Sequence, residues 1–337
     1  MRLATYNIEW FANLFDRNDE LIADDSWSGR HDITKTRQIE AIAKVLAALD
    51  ADAVLIVEAP NTGKSQNTVR ALQGFAEAFD LRTSRAVMGF PNDTQQELAL
   101  LFDPDALTAR HDPKGEPAGQ AGGGHAPRFD TTFRIDLDVD ATEDSVQFSK
   151  PPMELAVETA AGNAFRLIGA HLKSKAPHGA ATRDEAIRIS ISNRRKQLAQ
   201  AIWLAQRVEE HTEKGEKVIL LGDLNDGPGL DEFEHLFGRS SVEILLDSGL
   251  FDPHAVQVHG PRASAALSTA RFARPGEGRY LEALLDYIMV SQDLRAHQPI
   301  WRIWHPFKDN ACFSVPELRD ALLDASDHFP VTLDIAL

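Results

Sequence analysis

Carboxylates, carboxamides and imidazoles in this sequence gather where short apolar runs stop. Asn7 and Glu9 close the run 3–8, Glu58 follows 53–57 and His171 follows 165–170. Asp223 and Asn225 follow 218–221 in Gly222-Asp223-Leu224-Asn225, and Asp286 lies inside 284–290. Asp327 and His328, in Ser326-Asp327-His328-Phe329-Pro330, precede 331–335. Taken singly, an Asp or Asn after a strand is usually a turn residue, and a lone histidine is usually a packed or surface residue. Taken together, they supply several carboxylates, two carboxamides and two histidines, with no thiol among them. Oxygen ligands suit a hard cation such as Mg²⁺ or Mn²⁺. Histidines beside acids suit general acid–base work. This is the equipment for hydrolysing a phosphate ester.

The apolar runs read as strands. Residues 3–8 alternate, and 53–57 is a continuous apolar run, as expected of a strand buried on both faces. Runs 98–102, 165–170, 218–221, 284–290 and 331–335 read the same way. Ile39, Ile42, Leu46 and Leu49 form a helical stripe. A second helix is expected from about Arg183, with Thr182 and Glu185 as a capping box and Ile187, Ile191, Leu198 and Ile202 as its apolar face. Strands and helices mix without strict alternation, which favours sheets packed together with helices outside. No repeat or linker divides the chain, so residues 1–337 read as one domain. Residues 112–128, around Gly122-Gly123-Gly124, read as a mobile glycine-rich surface loop within it.

Bulk composition excludes some classes. The single cysteine, Cys312, rules out an intramolecular disulfide and a zinc finger or iron–sulfur site built from thiolates. No stretch reads as a secretion signal or a membrane span, so the expectation is a cytoplasmic protein with no membrane partner. The net charge of −16 argues against nucleic acid. Locally, however, residues 171–196 carry seven Lys/Arg and two acids, a balance of +5 with histidine neutral. A charge run of this kind is ordinarily a solvated face.

The ordered motifs Thr5-Tyr6-Asn7-Ile8-Glu9-Trp10, Val57-Glu58, His171-Leu172-Lys173-Ser174-Lys175, Gly222-Asp223-Leu224-Asn225, Leu285-Asp286-Tyr287-Ile288 and Ser326-Asp327-His328 span nearly the whole chain. As a set they resemble the endonuclease/exonuclease/phosphatase superfamily, of the deoxyribonuclease I-like kind. The resemblance implies a four-layer α/β sandwich: two mixed β-sheets face to face, helices outside, and the active site where the strand ends converge. It implies Mg²⁺ or Mn²⁺ held chiefly by Glu58, with Asn7, Glu9 and Asp327. Asp223 and Asn225 would position the attacking water and the phosphate, Asp286 would orient His328, and His171 would serve the leaving side. Glu97, in Gln96-Glu97-Leu98-Ala99-Leu100-Leu101-Phe102, resembles a glutamate that pairs with the equivalent histidine in pancreatic deoxyribonuclease, which implies a Glu97–His171 pair. The bland alternative is a solvent-facing glutamate at a strand start.

Lys173-Ser174-Lys175 resembles a pattern in bacterial nuclease-like members, and Phe148-Ser149-Lys150-Pro151-Pro152 resembles a phosphate-contacting segment of the pancreatic enzymes. Lys173, Lys175, Lys150 and Arg194 are therefore the implied substrate-phosphate contacts. Abasic-site enzymes and inositol polyphosphate 5-phosphatases fit less well. Where they carry Gly-Trp-Arg and Tyr-Arg, this chain has Glu282-Ala283-Leu284-Leu285 and Asp226-Gly227. The resulting expectation is a divalent-metal-dependent nuclease acting on DNA ahead of RNA, with no obligate protein partner. The alternative, which the net charge favours, is a phosphatase or phosphodiesterase for a small-molecule or lipid-headgroup phosphoester. A non-catalytic binding protein is disfavoured, because Glu58, Asp223, Asp286 and His328 are all retained. Gly63-Lys64-Ser65 is not a phosphate loop, since the required glycine is replaced by Glu58.

Overall fold

A computed structural model describes residues 1–94, 96–117, 125–136, 144–227, 238–258, 267–274 and 278–337. The centre of the expected glycine-rich loop, 118–124, lies outside the described residues. Its flanks are held by Glu154, which accepts from the Lys114 amide at 2.9 Å, and by Glu210, which accepts from the Ala126 amide at 2.6 Å.

In chain order the strands are β1 (Arg2–Asn7), β2 (Ala53–Ala59), β3 (Arg85–Met88), β4 (Glu97–Phe102), β5 (Leu107–His111), β6 (Phe133–Ile135), β7 (Asp144–Val146) and β8 (Met153–Thr159). They continue with β9 (Ala164–His171), β10 (Val218–Asp223), β11 (Leu250–Phe251), β12 (Ala270–Arg274), β13 (Arg279–Ala283), β14 (Asp286–Ser291), β15 (Ile300–Ile303) and β16 (Val331–Asp334). The helices are α1 (Lys35–Leu49), α2 (Thr68–Ala78), α3 (Arg183–Glu213), α4 (Ser241–Asp247), α5 (Pro253–Val258), α6 (Asn310–Phe313) and α7 (Pro316–Ala325). One mixed sheet has the order β15-β16-β1-β2-β4-β3, and the other β11-β14-β10-β9-β8-β5. Two hairpins, β12-β13 and β6-β7, stand apart from them.

Three apolar cores separate four layers. In β2, Val54 and Ile56 pack toward α1, α2 and α7, whereas Ala53, Leu55 and Val57 pack into the space between the sheets. The strand is buried on both faces, as its continuous apolar run required. In β9 and β10, Leu167, Ile219 and Leu221 face the first sheet, while Ile168 and Leu220 pack against Trp203, Leu204 and Val208 of α3. Each such leucine or isoleucine contributes roughly 1.5–3 kcal/mol of burial. The chain therefore forms the two-sheet α/β sandwich that its motifs implied.

Boundaries differ from the expected ones for local reasons. β14 begins at Asp286 rather than at 284, because the amides of Leu285 and Asp286 both donate to Thr269 Oγ1 at 3.0 Å instead of joining a ladder. Thr182 does cap α3, accepting from the Glu185 amide at 3.2 Å. The reciprocal bond runs from the Ala181 amide to Glu185 at 3.0 Å, so the capping box is displaced by one residue. Ile187, Ile191 and Ile202 are only partly buried. The inward face of the first half of α3 is instead polar, carried by Asn193, Arg194, Gln197 and Gln200. Among the described residues, no helix is long and apolar enough to cross a membrane.

Gly222 limits what β10 tolerates. Its φ is 137°, and a Cβ there would lie 1.9 Å from the Ala170 carbonyl oxygen on the neighbouring strand. Gly222→Ala is expected to destabilise the fold by about 4 kcal/mol, through clash and backbone strain together. Urea unfolding would measure it, and a change under 1 kcal/mol would show that β9 and β10 can separate locally.

Candidate active site

Strand periodicity delivers most of the polar side chains. Alternate residues point to opposite faces of a sheet. Continuing the inter-sheet series of each strand reaches His171 after Leu167 and Gly169 in β9, Asp223 after Ile219 and Leu221 in β10, and Asp286 ahead of Ile288 and Val290 in β14. Register then sets these side by side. Asp223 is partnered with His171 on the parallel neighbour and with Asp286 on the antiparallel one. From the first sheet, Asn7 continues the series Leu3, Thr5, and its Nδ2 donates to Asp223 Oδ2 across the sandwich at 3.0 Å. His328 precedes β16, and its Nδ1 lies 2.8 Å from Asp286 Oδ2.

Glu58 and Asn225 need special backbone. A β-bulge interrupts the β2–β4 register between Val57 and Ala59, and Glu58 has φ 61°. Without it, Glu58 would follow Val54 and Ile56 toward the helices. With it, Ala59 takes that place and Glu58 turns into the cavity. Asn225 has φ 49°; its amide donates to Asp223 Oδ1 at 2.8 Å and its Nδ2 to the Leu172 carbonyl at 3.1 Å. Ser326 ties the remaining segments together. Its hydroxyl donates to the Asn7 carbonyl at 2.8 Å and accepts from the amides of Glu9 at 3.1 Å and His328 at 3.2 Å. Asn7, Glu9, Glu58, Lys150, His171, Lys173, Lys175, Asp223, Asn225, Asp327 and His328 line a single cavity of about 1110 Å³. Asp286 lies behind His328, out of contact with the cavity surface.

The electrostatics are those of crowded acids. Burial, followed by Asp327, raises the Glu9 carboxyl to about 7. Burial also raises Glu58, against the pull of Lys150 and His328. Asp223 rises to about 7, again chiefly through burial, with Asp286 adding to the rise and His328 opposing it. The two histidines diverge. Burial, Lys150 and His328 drive the His171 pKa well below its ordinary value. Burial would also lower His328, but Asp286, Asp223 and Asp327 outweigh it and hold its pKa well above the ordinary value. The two imidazoles are thus shifted in opposite directions, His171 toward its neutral form and His328 toward its protonated one.

Two implied contacts are placed elsewhere, and a third, Lys175, is in the cavity but already paired. Glu97 is not paired with His171, nor does it face solvent. It is fully buried, where it accepts from Asn92 Nδ2 at 2.7 Å and from the amides of Asn92 and Thr62 at 3.4 Å each, closing a loop. His171 instead has Lys150 Nζ at 3.2 Å from each ring nitrogen and Asp223 Oδ2 at 3.6 Å. Arg194 is 1% exposed and donates to Asp226 Oδ2 at 2.6 Å. Lys175 reaches the cavity, but its ammonium is paired with Asp226 Oδ1 at 2.7 Å. Lys150 and Lys173 line the cavity beside the acids.

Residues not singled out in the sequence complete the site. Asp226 is fully buried and also accepts from the Ser241 amide at 2.7 Å. Burial would raise its pKa, but Lys175 and Arg194 overcome that and lower it. Gln197 Nε2 reaches the carbonyls of Lys173, Leu224 and Asn225 at 3.0, 3.3 and 2.9 Å, fastening both catalytic-side loops to α3. Phe272, Leu281, Ala283 and Leu285 form an apolar wall, with Phe272 edge-on to His328 at 5.6 Å between ring centroids. Trp10 lines the opening beside Glu9. The position of Asp226 after Asp223-x-Asn225 was the available signal for it; Gln197, in mid-helix, offered none.

The donor set fits a hard divalent cation. Two buried oxygens, Asn7 Oδ1 and Asp286 Oδ1, have no hydrogen-bond partner, and burial raises the nearby carboxyls of Glu9, Glu58 and Asp223. Two groupings compete for a metal. Among the described residues, Asp223, Asp286 and His328 have potential ligand atoms within 4.8 Å of one another. His328 and Asp286 are already bonded to each other, however, and the buried acids around His328 shift it toward its protonated form. The oxygen set of Asn7, Glu9, Glu58 and Asp327 fits Mg²⁺ or Mn²⁺ chemistry better.

The sequence profile described as Endonuclease/Exonuclease/phosphatase family matches residues 4–328. No protein of curated function matches the chain. Among solved structures, it is similar to a 3'-5' exonuclease, NExo, from Neisseria meningitidis, at 15% identity and TM-score 0.53 over 100% of both chains. The Neisseria 3' phosphatase NExo bound to a product DNA hairpin is similar at 15% identity and TM-score 0.51, again over 100% of both chains. D. rerio TDP2 complexed with a single-strand DNA product matches at 11% identity and TM-score 0.51, covering 99% of this chain and 97% of that one. At these identities the likeness is one of fold.

Two outcomes follow from this geometry. The raised His328 pKa means that its pairing with Asp286 stabilises the fold fully below the unfolded histidine value of about 6.5, and that the contribution fades as pH rises through the higher folded value. The stability gap between wild type and Asp286→Asn, read by urea unfolding, should therefore be widest near pH 5.5 and narrow toward pH 9; a gap independent of pH would contradict the assignment. Asp226→Asn removes the buried carboxylate that both Arg194 and Lys175 meet and should cost about 3 kcal/mol in the same assay. A loss below 0.5 kcal/mol would show that the Asp226 carboxylate does not brace this part of the fold.

Proposed function

The chain belongs to the Endonuclease/Exonuclease/phosphatase family and is a phosphoester hydrolase; within that family we propose that it is a divalent-metal-dependent nuclease cutting DNA ahead of RNA. The observation that carries the reading is the convergence, in one cavity, of Asp223, the Asp286-backed His328 and His171 with the cationic side chains of Lys150 and Lys173. Crowded acids would hold the metal, and cations would hold an anionic substrate against them. The DNA-bound states of NExo and TDP2, on the same fold, support a nucleic-acid substrate.

The residues divide the chemistry as follows. Glu58, Asn7, Glu9 and Asp327 would hold Mg²⁺ or Mn²⁺, which neutralises charge on a non-bridging phosphoryl oxygen. Asp223 carries a pKa of about 7 and is bonded to Asn7 and Asn225. It is poised to orient the attacking water and accept its proton. Asn225 is neutral and orients the phosphate without repelling it. His328, kept protonated by Asp286, supplies fixed positive charge to the phosphoryl oxygens as negative charge builds on them. His171, kept neutral, faces the leaving side with Lys150 against its ring. The reading treats residues 1–337 as one domain, because both sheets contribute to the same cavity.

A second reading, hydrolysis of a small phosphoester, draws support from the net charge of −16, which disfavours a polyanion. The test is incubation of supercoiled plasmid with Mg²⁺ or Mn²⁺, beside EDTA and His328→Ala controls. Metal-dependent nicking that falls at least ~100-fold in His328→Ala is the expected result. Hydrolysis of bis(p-nitrophenyl) phosphate without nicking would move the assignment to small phosphodiesters.

A further inference from the structure

Trp10 is placed in a way that core packing does not explain. Its side chain lines the cavity with Glu9, Glu58 and Asp327, and it remains 47% exposed. Its backbone is left-handed, φ 59° and ψ 22°, a conformation that a bulky residue adopts only under constraint. The ring is also fixed from several sides. The indole Nε1 donates to Glu9 Oε1 at 2.9 Å, and the other oxygen of Glu9 is paired with Arg30. Arg30 is itself anchored, donating to the Leu323 carbonyl at 2.9 Å. Against the ring lies Gly29, with φ 113°, where a Cβ would stand 2.7 Å from Trp10 Cγ. Only glycine leaves the indole its place.

The result is a rigid aromatic plane, half open to solvent, at the mouth of a phosphoester site. The other tryptophans behave differently. Trp203 and Trp304 are buried, Trp301 is half-buried, and Trp27 is exposed but does not line the cavity. A flat apolar surface held beside a phosphate-binding cavity matches a ligand that carries a planar ring at a fixed distance from its phosphate. A nucleotide is such a ligand, and ring stacking is indifferent to which base is present. Because the ring is already immobilised, little side-chain entropy is lost when a base settles on it.

We propose that Trp10 is a stacking platform for a nucleobase next to the scissile phosphate, and so the residue that makes this site prefer nucleotide phosphodiesters over other phosphoesters. The assignment rests on the nuclease reading given above.

The test compares a single-stranded oligonucleotide with one of the same length in which tetrahydrofuran replaces every base, so that phosphates and charge are unchanged. KM for hydrolysis in Mg²⁺ and binding in EDTA would be measured for wild type, Trp10→Ala and Trp10→Phe. Trp10→Ala should weaken the base-bearing oligonucleotide about tenfold in both readouts and leave the base-free one unchanged. Trp10→Phe, which keeps a ring and guards against a folding defect, should recover most of the loss. Equal weakening of both oligonucleotides, or of neither, with wild-type hydrolysis intact would overturn this assignment alone. Failure of the wild type to bind or hydrolyse any oligonucleotide would overturn it together with the nuclease reading.

Discussion

Asp223 and Asp286 stand directly opposite each other on neighbouring antiparallel strands. Like charges in that position oppose pairing, and the surrounding structure is arranged around the conflict. The relief comes from the other sheet: Asn7 donates to Asp223, and His328 pairs with Asp286. These contacts join the two sheets at their polar edge, where the apolar packing of Leu55, Leu167 and Leu221 gives out. The same contacts fix the protonation state of His328 and leave the far oxygens of Asn7 and Asp286 without partners. Sheet packing, imidazole charge and appetite for a cation are thus one arrangement seen from three sides.

Much of this was legible in the chain. Alternation marks Asn7, His171, Asp223 and Asp286 as polar continuations of apolar, inward-facing series, so their convergence follows from period two and a sandwich architecture. What the sequence could not show is register and reach. Nothing in the run of 97–102 reveals that Glu97 turns to the amides of Thr62 and Asn92 instead of to His171. Charge counting has a related limit. Residues 171–196 carry a +5 balance, yet Lys175 and Arg194 are paired with Asp226, and Arg195 pairs with Asp144. A sequence shows how many charges it has, and only the fold shows which have met.

Helix α3 is where that internal pairing matters most. Near its middle, Arg194 and Gln197 grip Asp226 and the loops bearing Lys173 and Asn225. Toward its end, Arg207 donates to Glu154 at 2.8 Å, and His211 sits between Glu154 at 2.6 Å and Glu216 at 2.5 Å. Both clamps are buried ion pairs, which are costly to break by removing one partner. The expected apolar face of the helix was only half the story: its polar inward face braces the catalytic loops from behind, and that bracing has no periodic signature.

Left-handed backbone recurs at Trp10, Glu58 and Asn225, all on the cavity lining. At Glu58 the geometry also holds a carboxylate among other carboxylates. A glycine there would ease the backbone and remove a buried like charge in one step. Selection for heat resistance acting alone would therefore push this position away from glutamate, and only selection for turnover would hold it. Lineages that no longer needed the reaction would be expected to become sturdier as they lost it, with residue 58 among the first to drift.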